Sequence, residues 1–159
     1  MEKTIMIEPE KCTSCLICEL ECSFQHTGEC RPSASRISVV SWEKVGIATP
    51  VLCSQCNDSP CKNVCPTGAI ERGLDGIVEI KDSLCIKCKV CIAACPFGCM
   101  KYDPIKEIPI KCDQCGGNPA CVKGCPSSAL SYINVEAVAE KKLEKYVSKT
   151  RNEEEEEVI

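Results

Sequence analysis

The sequence predicts an α+β chain: two small nested units of short strands and helical turns, followed by a C-terminal helix. Three observations predict it. Eighteen of the 159 residues are cysteine, against two Phe, one Trp and three Tyr, so large apolar side chains are too few for an ordinary core and cross-links must help hold the chain. Sixteen of those cysteines fall into four groups, each opening C-x2-C and closing C-x3-C. Short strand-like segments and turn residues lie between and around the groups.

Taken in order, residues 4–7 read as a strand. The first group is Cys12, Cys15, Cys18, Cys22. Residues 36–52, RISVVSWEKVGIATPVL, suggest a hairpin in the long connection to the second group, Cys53, Cys56, Cys61, Cys65, which Pro66 follows. AIERGLDGIVEI (69–80) predicts two short strands joined around Asp75-Gly76, a good hairpin turn. The third group, CIKCKVCIAACP, holds Cys85, Cys88, Cys91, Cys95 and then Pro96; the fourth is Cys112, Cys115, Cys121, Cys125 and then Pro126. Residues 129–133 read as a second strand of the outer unit. The inner unit, 53–99, is thus inserted within an outer one made of 1–52 and 100–133. From 134 to about 149, Val135, Val138, Leu143, Tyr146 and Val147 fall near one helical face, with Asn134 as the expected N-cap. The run Glu153–Glu157 within 150–159 predicts a solvated, flexible acidic tail.

What are so many thiols for? The N-terminus carries no basic stretch leading into an apolar run with a cleavage site, and no segment approaches the ~20 apolar residues of a membrane span. The expected compartment is cytoplasmic, where thiols stay reduced, so metal is favoured over disulfides. Zinc is the serious rival, yet zinc sites usually pair two C-x2-C knuckles from separate loops. The first and third groups match instead the C-x2-C-x2-C-x3-C run of bacterial ferredoxins. The second and fourth have longer middle gaps, Asn-Asp-Ser-Pro and Gly-Gly-Asn-Pro-Ala, which loop out without moving the thiolates.

The C-x3-C spacing separates two sulfurs by about 6 Å along a helical turn. In two-cluster ferredoxins the last cysteine of each run ligates the other cluster, so each turn would bridge two clusters held on the order of 10 Å apart. Proline after the last cysteine disfavours helix in the residue before it. The residues after the closing cysteine of the last three groups repeat as well: Pro-Thr-Gly-Ala-Ile, Pro-Phe-Gly-Cys-Met and Pro-Ser-Ser-Ala-Leu. That alignment puts Cys99 where Ala69 and Ala129 stand, as a small core residue. Cys30, in the polar stretch Thr-Gly-Glu-Cys-Arg-Pro, is the other surplus thiol. Sixteen remain, enough for four [4Fe–4S] clusters.

The nested four-motif pattern of residues 3 to 133 resembles the four-cluster electron-transfer subunits of molybdenum and tungsten oxidoreductases, relatives of the small subunits beside formate dehydrogenases, hydrogenases and carbon monoxide dehydrogenase. Cys22-Ser-Phe-Gln-His-Thr-Gly, with Arg31-Pro32 and Ser35-Arg36-Ile37, further resembles the short subunits paired with tungsten enzymes of the aldehyde ferredoxin oxidoreductase type and with class II benzoyl-CoA reductases. The resemblance implies a ligand assignment: Cys12, Cys15, Cys18 and Cys125 (set A); Cys22, Cys112, Cys115 and Cys121 (set B); Cys53, Cys56, Cys61 and Cys95 (set C); Cys65, Cys85, Cys88 and Cys91 (set D). It implies a non-catalytic subunit that relays single electrons between a larger tungstopterin- or molybdopterin-containing subunit and a further carrier. The chain departs from its own pattern at Ser23, which stands after Cys22 in place of proline and leaves the exit path of the first bridge open.

All-thiolate ligation argues for low potentials, since His ligation raises them. The formal charge is −4, and four clusters at roughly −2 each bring it to about −12, which argues against nucleic acid. Lys87 and Lys89 would offset cluster charge or simply be solvated. His26 reads as structural, with a hydrogen bond to a cluster or partner as the alternative, and Trp42 as hairpin packing. Arg31 and Arg36 lie in the 22–53 connection, where the partner interface is expected. The rival functions are a free soluble polyferredoxin, the electron-transfer subunit of a hydrogenase, formate dehydrogenase or carbon monoxide dehydrogenase, and a zinc or iron storage or structural protein.

Overall fold

The computed structural model describes residues 3–156, with side chains through residue 149. Its strands form four separate two-stranded antiparallel sheets. β1 (Lys3–Ile7) pairs with β8 (Leu130–Asn134), Ile5 opposite Tyr132, so the two ends of the outer unit close on each other. Ile5, Met6 and Leu130 are buried there. β2 (Ile37–Trp42) and β3 (Ile47–Leu52) form the hairpin expected within 36–52, turning at Gly46, whose φ of 65° suits glycine. Trp42 stands beside that turn, over half exposed at 54%. It packs less than the sequence reading supposed.

β4 (Ile70–Arg72) and β5 (Val78–Ile80) form the inner hairpin. In its turn the Asp75 carboxylate accepts the Ile77 amide at 3.0 Å. A third hairpin, β6 (Lys101–Asp103) with β7 (Ile108–Ile110), was not expected. Pro104 and Pro109 broke the strand signal there, but Asp103 closes the turn by accepting the amides of Ile105 and Lys106 at 2.9 and 3.2 Å.

The cysteine groups build the helices. α2 (Pro60–Asn63), α3 (Val90–Ala93) and α4 (Ala120–Lys123) are single turns, each with a Cys-Pro pair shortly after it. α1 (Ile17–Thr27) runs 11 residues because Ser23, not proline, follows Cys22, and it ends only at Gly28, whose amide reaches Phe24 O at 2.8 Å. The first bridge therefore leaves along a continued helix.

α5 (Val135–Glu156) is longer than the segment expected to end near 149, and it carries the acidic run as far as Glu156. Glu and Lys are good helix formers, so the charge pattern that suggested a tail is equally a helical one. Asn134 is the last residue of β8, directly before the helix. On the expected apolar face Val138 is half-buried, while Val135 and Leu143 are exposed. Residues 157–159 of the expected tail lie outside the described residues.

Two apolar cores result. One gathers Ile5, Ile37, Leu52 and Leu130 with Cys18, Cys22, Cys112 and Cys121. The other gathers Ile70, Val78 and Met100 with Cys91. Half of the first core is thiol, so what those thiols hold matters to the fold.

Candidate metal centres

In each group the residue before the second cysteine is left-handed: Ser14, Gln55, Lys87 and Gln114, with φ of 57°, 52°, 59° and 55°. None is glycine, so each costs some strain. The same cost at the same place in four groups marks one loop used four times. Turns of this kind aim backbone N–H groups into a concavity that favours anions, iron–sulfur sites among them.

Three cavities are lined by four or five cysteines each. One is lined by Cys22, Cys112, Cys115 and Cys121, the residues of set B. A second is lined by Cys53, Cys56, Cys61 and Cys95, the residues of set C, with Cys99 as a fifth thiol. A third is lined by Cys65, Cys85, Cys88 and Cys91, the residues of set D. Each draws three thiols from one group and a terminal thiol from another. For set A the structure brings together Cys12, Cys15 and Cys18, whose charges bear on one another. Cys125 follows α4, which packs on α1 so closely that a Cβ at Gly124 would meet Glu21 Cγ at 2.6 Å. Glu21 and Gly124 immediately precede Cys22 and Cys125, so the terminal cysteines of the first and fourth groups sit at one helix crossing. α2 and α3 pack in the same way in the inner unit.

The thiols fall into two electrostatic classes. Burial pushes Cys18 and Cys112 up to about 12 and Cys91 up to about 11, and raises Cys121, Cys61 and Cys115 as well. The cysteines that end the other three groups shift the opposite way. At Cys65, burial is outweighed by the Thr67 hydroxyl and by the amides of Ile70, Thr67 and Ala69. At Cys95 the amides of 97–100 do this, and at Cys125 the amides of Leu130, Ala129 and Ser127 with the Ser127 hydroxyl. The post-proline turn is thus a device for holding a thiolate. Two backbone amides also point at set B sulfurs: Arg36 N lies 3.3 Å from Cys22 Sγ, and Gln114 N 3.4 Å from Cys112 Sγ.

His26 stands beside set B, its Nε2 3.8 Å from Cys115 Sγ and 3.4 Å from Asp113 Oδ1. The two arginines considered for partner contact are spent internally: Arg31 pairs with Asp103 and Arg36 with Asp113. Lys87 pairs with Glu107 at 3.4 Å, and Lys89 lies over the Tyr102 ring at 4.0 Å. Cys99 is buried in the wall of the set C cavity, but it donates to Leu52 O at 3.2 Å, and burial pushes its thiol up to about 11. Cys30 is exposed. Sequence reasoning missed Gln55 and Lys111. Gln55 had a signal, because both the second and fourth groups read Cys-x-Gln-Cys. Lys111 had none.

Comparison with known proteins bears on this arrangement. Residues 44–135, more than half of the chain, match the family model of the 4Fe-4S dicluster domain, and residues 9–25 match a 4Fe-4S binding domain. The chain belongs to the 4Fe-4S dicluster family. One relative is the polyferredoxin-like subunit of aliphatic sulfonate oxidoreductase from Pyrococcus furiosus, 43% identical over 91 residues, 57% of this chain and 52% of that one. Another is the electron transport protein HydN of Escherichia coli, 39% identical over 101 residues, 59% and 56% of the two chains. The chain spans about half the length of the curated relatives it matches. A chain of the active site complex BamBC of benzoyl coenzyme A reductase superposes with a TM-score of 0.50 at 29% identity, covering 92% of this chain and 89% of that one.

The thiols of this 4Fe-4S dicluster protein fit the cofactor in kind. Each cavity offers at least four sulfur donors, with Cys99 in addition at set C, and no competing imidazole except His26 at the rim of set B. Buried thiols that resist ionisation become thiolates only against a cationic core, which binding of metal supplies. Among the described residues no helix is long and apolar enough to cross a membrane.

Proposed function

We propose that the chain is the non-catalytic electron-transfer subunit of an oxidoreductase complex, carrying four [4Fe–4S] clusters on sets A, B, C and D. Each cluster, when bound, accepts and releases one electron. The observation that carries the reading is the lining of three cavities by three cysteines of one group and the terminal cysteine of another.

The sets also form an ordered row. Cys18 of set A bears on Cys121 of set B, Cys53 of set C on Cys112 of set B, and Cys61 of set C on Cys91 of set D. The resulting order is A–B–C–D. Of the sixteen cysteines only Cys15 and Cys88 are exposed, and they belong to the two terminal sets. Set B is the most enclosed, with Cys22, Cys112 and Cys121 buried, and the exposed thiols at the two ends suit a relay between two partners.

The partner at one end is a larger catalytic subunit holding a tungsten or molybdenum pterin. The likeness to a chain of BamBC and to the sulfonate oxidoreductase subunit supports it. The compartment is cytoplasmic. The likeness to HydN, an electron transport protein by name, favours a second reading, a free polyferredoxin serving several enzymes. Anaerobic purification from the source cell separates the two. A subunit co-purifies with a larger chain containing tungsten or molybdenum, whereas a free carrier runs alone. Zinc without acid-labile sulfide would overturn both.

A further inference from the structure

Lys111 is 3% exposed, between the two units. Its ammonium donates to Val78 O, to Cys112 O at 2.8 Å and to Gln55 Oε1 at 3.4 Å. Three neutral oxygens use all three of its protons, and a neutral amine has only two to give. The Gln55 amide braces the same junction, Nε2 donating to Cys112 O at 2.7 Å while Oε1 accepts Val78 N at 2.9 Å. None of the ion pairs among the described residues involves Lys111.

A buried cation without a counter-charge is strongly disfavoured. Beyond its three oxygen partners, thiols line a cavity beside this one. Lys111 lines the set C cavity with Cys53, Cys56, Cys61 and Cys95, and Cys112 of set B is its neighbour in sequence. The repeat supplies an internal comparison. Lys11 precedes Cys12 as Lys111 precedes Cys112, but Lys11 is about half exposed and pairs with Glu8 at 2.9 Å. Of two lysines at equivalent places, one has its carboxylate and water, and the other has neither.

We propose that Lys111 is a redox-positioning residue: its buried ammonium is the fixed counter-charge of the set C and set B clusters, and it holds their reduction potentials above those the same cysteines would give alone. The inference rests on the cluster reading above. Adding one electron to a cluster site takes it from roughly −2 to −3, and a cation in a poorly polarisable interior favours the more negative form. The electron comes from the neighbouring carrier and no proton needs to move. The consequence lies at the join between the nested units, where an electron leaves one pair of sites for the other. Lys111 keeps the middle of the row from being a barrier. At Cys61, although burial raises the thiol, Lys111 is the leading influence pulling it back.

The test is a redox titration followed by electron paramagnetic resonance on the anaerobically prepared, cluster-loaded chain, with iron and acid-labile sulfide measured on every sample. Lys111→Met is expected to keep its iron while one or two clusters become at least tenfold harder to reduce, a fall of 59 mV for a one-electron couple. Lys111→Arg keeps most of the wild-type potential, and Lys11→Met leaves all midpoints in place. Full iron with unchanged midpoints in Lys111→Met overturns the proposal and leaves the cluster reading intact. Wild-type chain without iron and sulfide overturns the cluster reading itself. Should Lys111→Met lose iron, Lys111→Gln keeps amide protons for the carbonyls without the charge. Iron lost in both but restored in Lys111→Arg supports the counter-charge, and iron lost in all three overturns it.

Discussion

Arg31 grips Asp103 with both arms, Nη1 3.1 Å from Oδ1 and Nη2 3.3 Å from Oδ2. The pair ties the segment after α1 to β6 across 72 residues of chain, and the carboxylate is 2% exposed. Asp103→Asn is expected to cost about 3 kcal/mol, the usual loss when one partner of a buried pair is removed. Burial alone would raise this carboxyl, but Arg31 and the amides of Ile105 and Lys106 outweigh it and hold it below its ordinary value. The stabilisation is therefore full above the ordinary carboxylate pKa and fades as pH falls through the lower folded one. Denaturant midpoints of parent and variant should differ by a constant amount from neutral pH down to about pH 5 and converge only in stronger acid.

Ser23 is fully buried, donates to Leu20 O at 2.9 Å and accepts Arg31 N at 3.0 Å. Ser23→Pro makes the first group follow the rule of the other three and breaks α1 at its middle. The expected loss is ~3 kcal/mol or more for interior proline, against about 1–2 kcal/mol for Ser23→Ala. Anaerobic thermal unfolding compares the two; equal losses would mean that the continued helix contributes nothing.

Cysteines adjacent in one run should report on different clusters. Cys125→Ser should weaken the resonance signal that Cys18→Ser also weakens, while Cys121→Ser weakens another. In the wall of the set C cavity, Cys95→Ser should lower iron by up to about four atoms per chain, one cubane, and Cys99→Ala should leave it unchanged. Loss of one and the same signal in Cys121→Ser and Cys125→Ser would refute the shared arrangement.

Removing iron should unfold the outer unit. Cys18, Cys22, Cys112 and Cys121 make up half of its core, and a core that is half ligand has little apolar area of its own. Chelation under oxidising conditions should abolish a cooperative unfolding transition followed by far-ultraviolet circular dichroism. A sharp transition in the iron-free chain would show that apolar packing suffices.

The sequence carried much of this architecture in its local rules. The outer strands, two hairpins and the four loops were legible because turn residues and C-x2-C spacing act within a few positions. The β6–β7 hairpin was hidden by Pro104 and Pro109, and the reach of α5 by a run of glutamates that reads as tail or as helix. The roles of Arg31 and Arg36 were not legible, because their partners Asp103 and Asp113 lie more than 70 residues away.

By itself, then, the sequence determined which thiols recur at which spacing, and hence the loops and their chemistry, since both are local. Only the tertiary structure decided which thiols from different groups line one cavity, that Cys15 and Cys88 are exposed, and that Lys111 rather than Lys11 is buried. Burial and the neighbours of a charge are sums over the whole packed chain. Two lysines in matching positions of a repeat read alike until the fold wraps one and leaves the other in water.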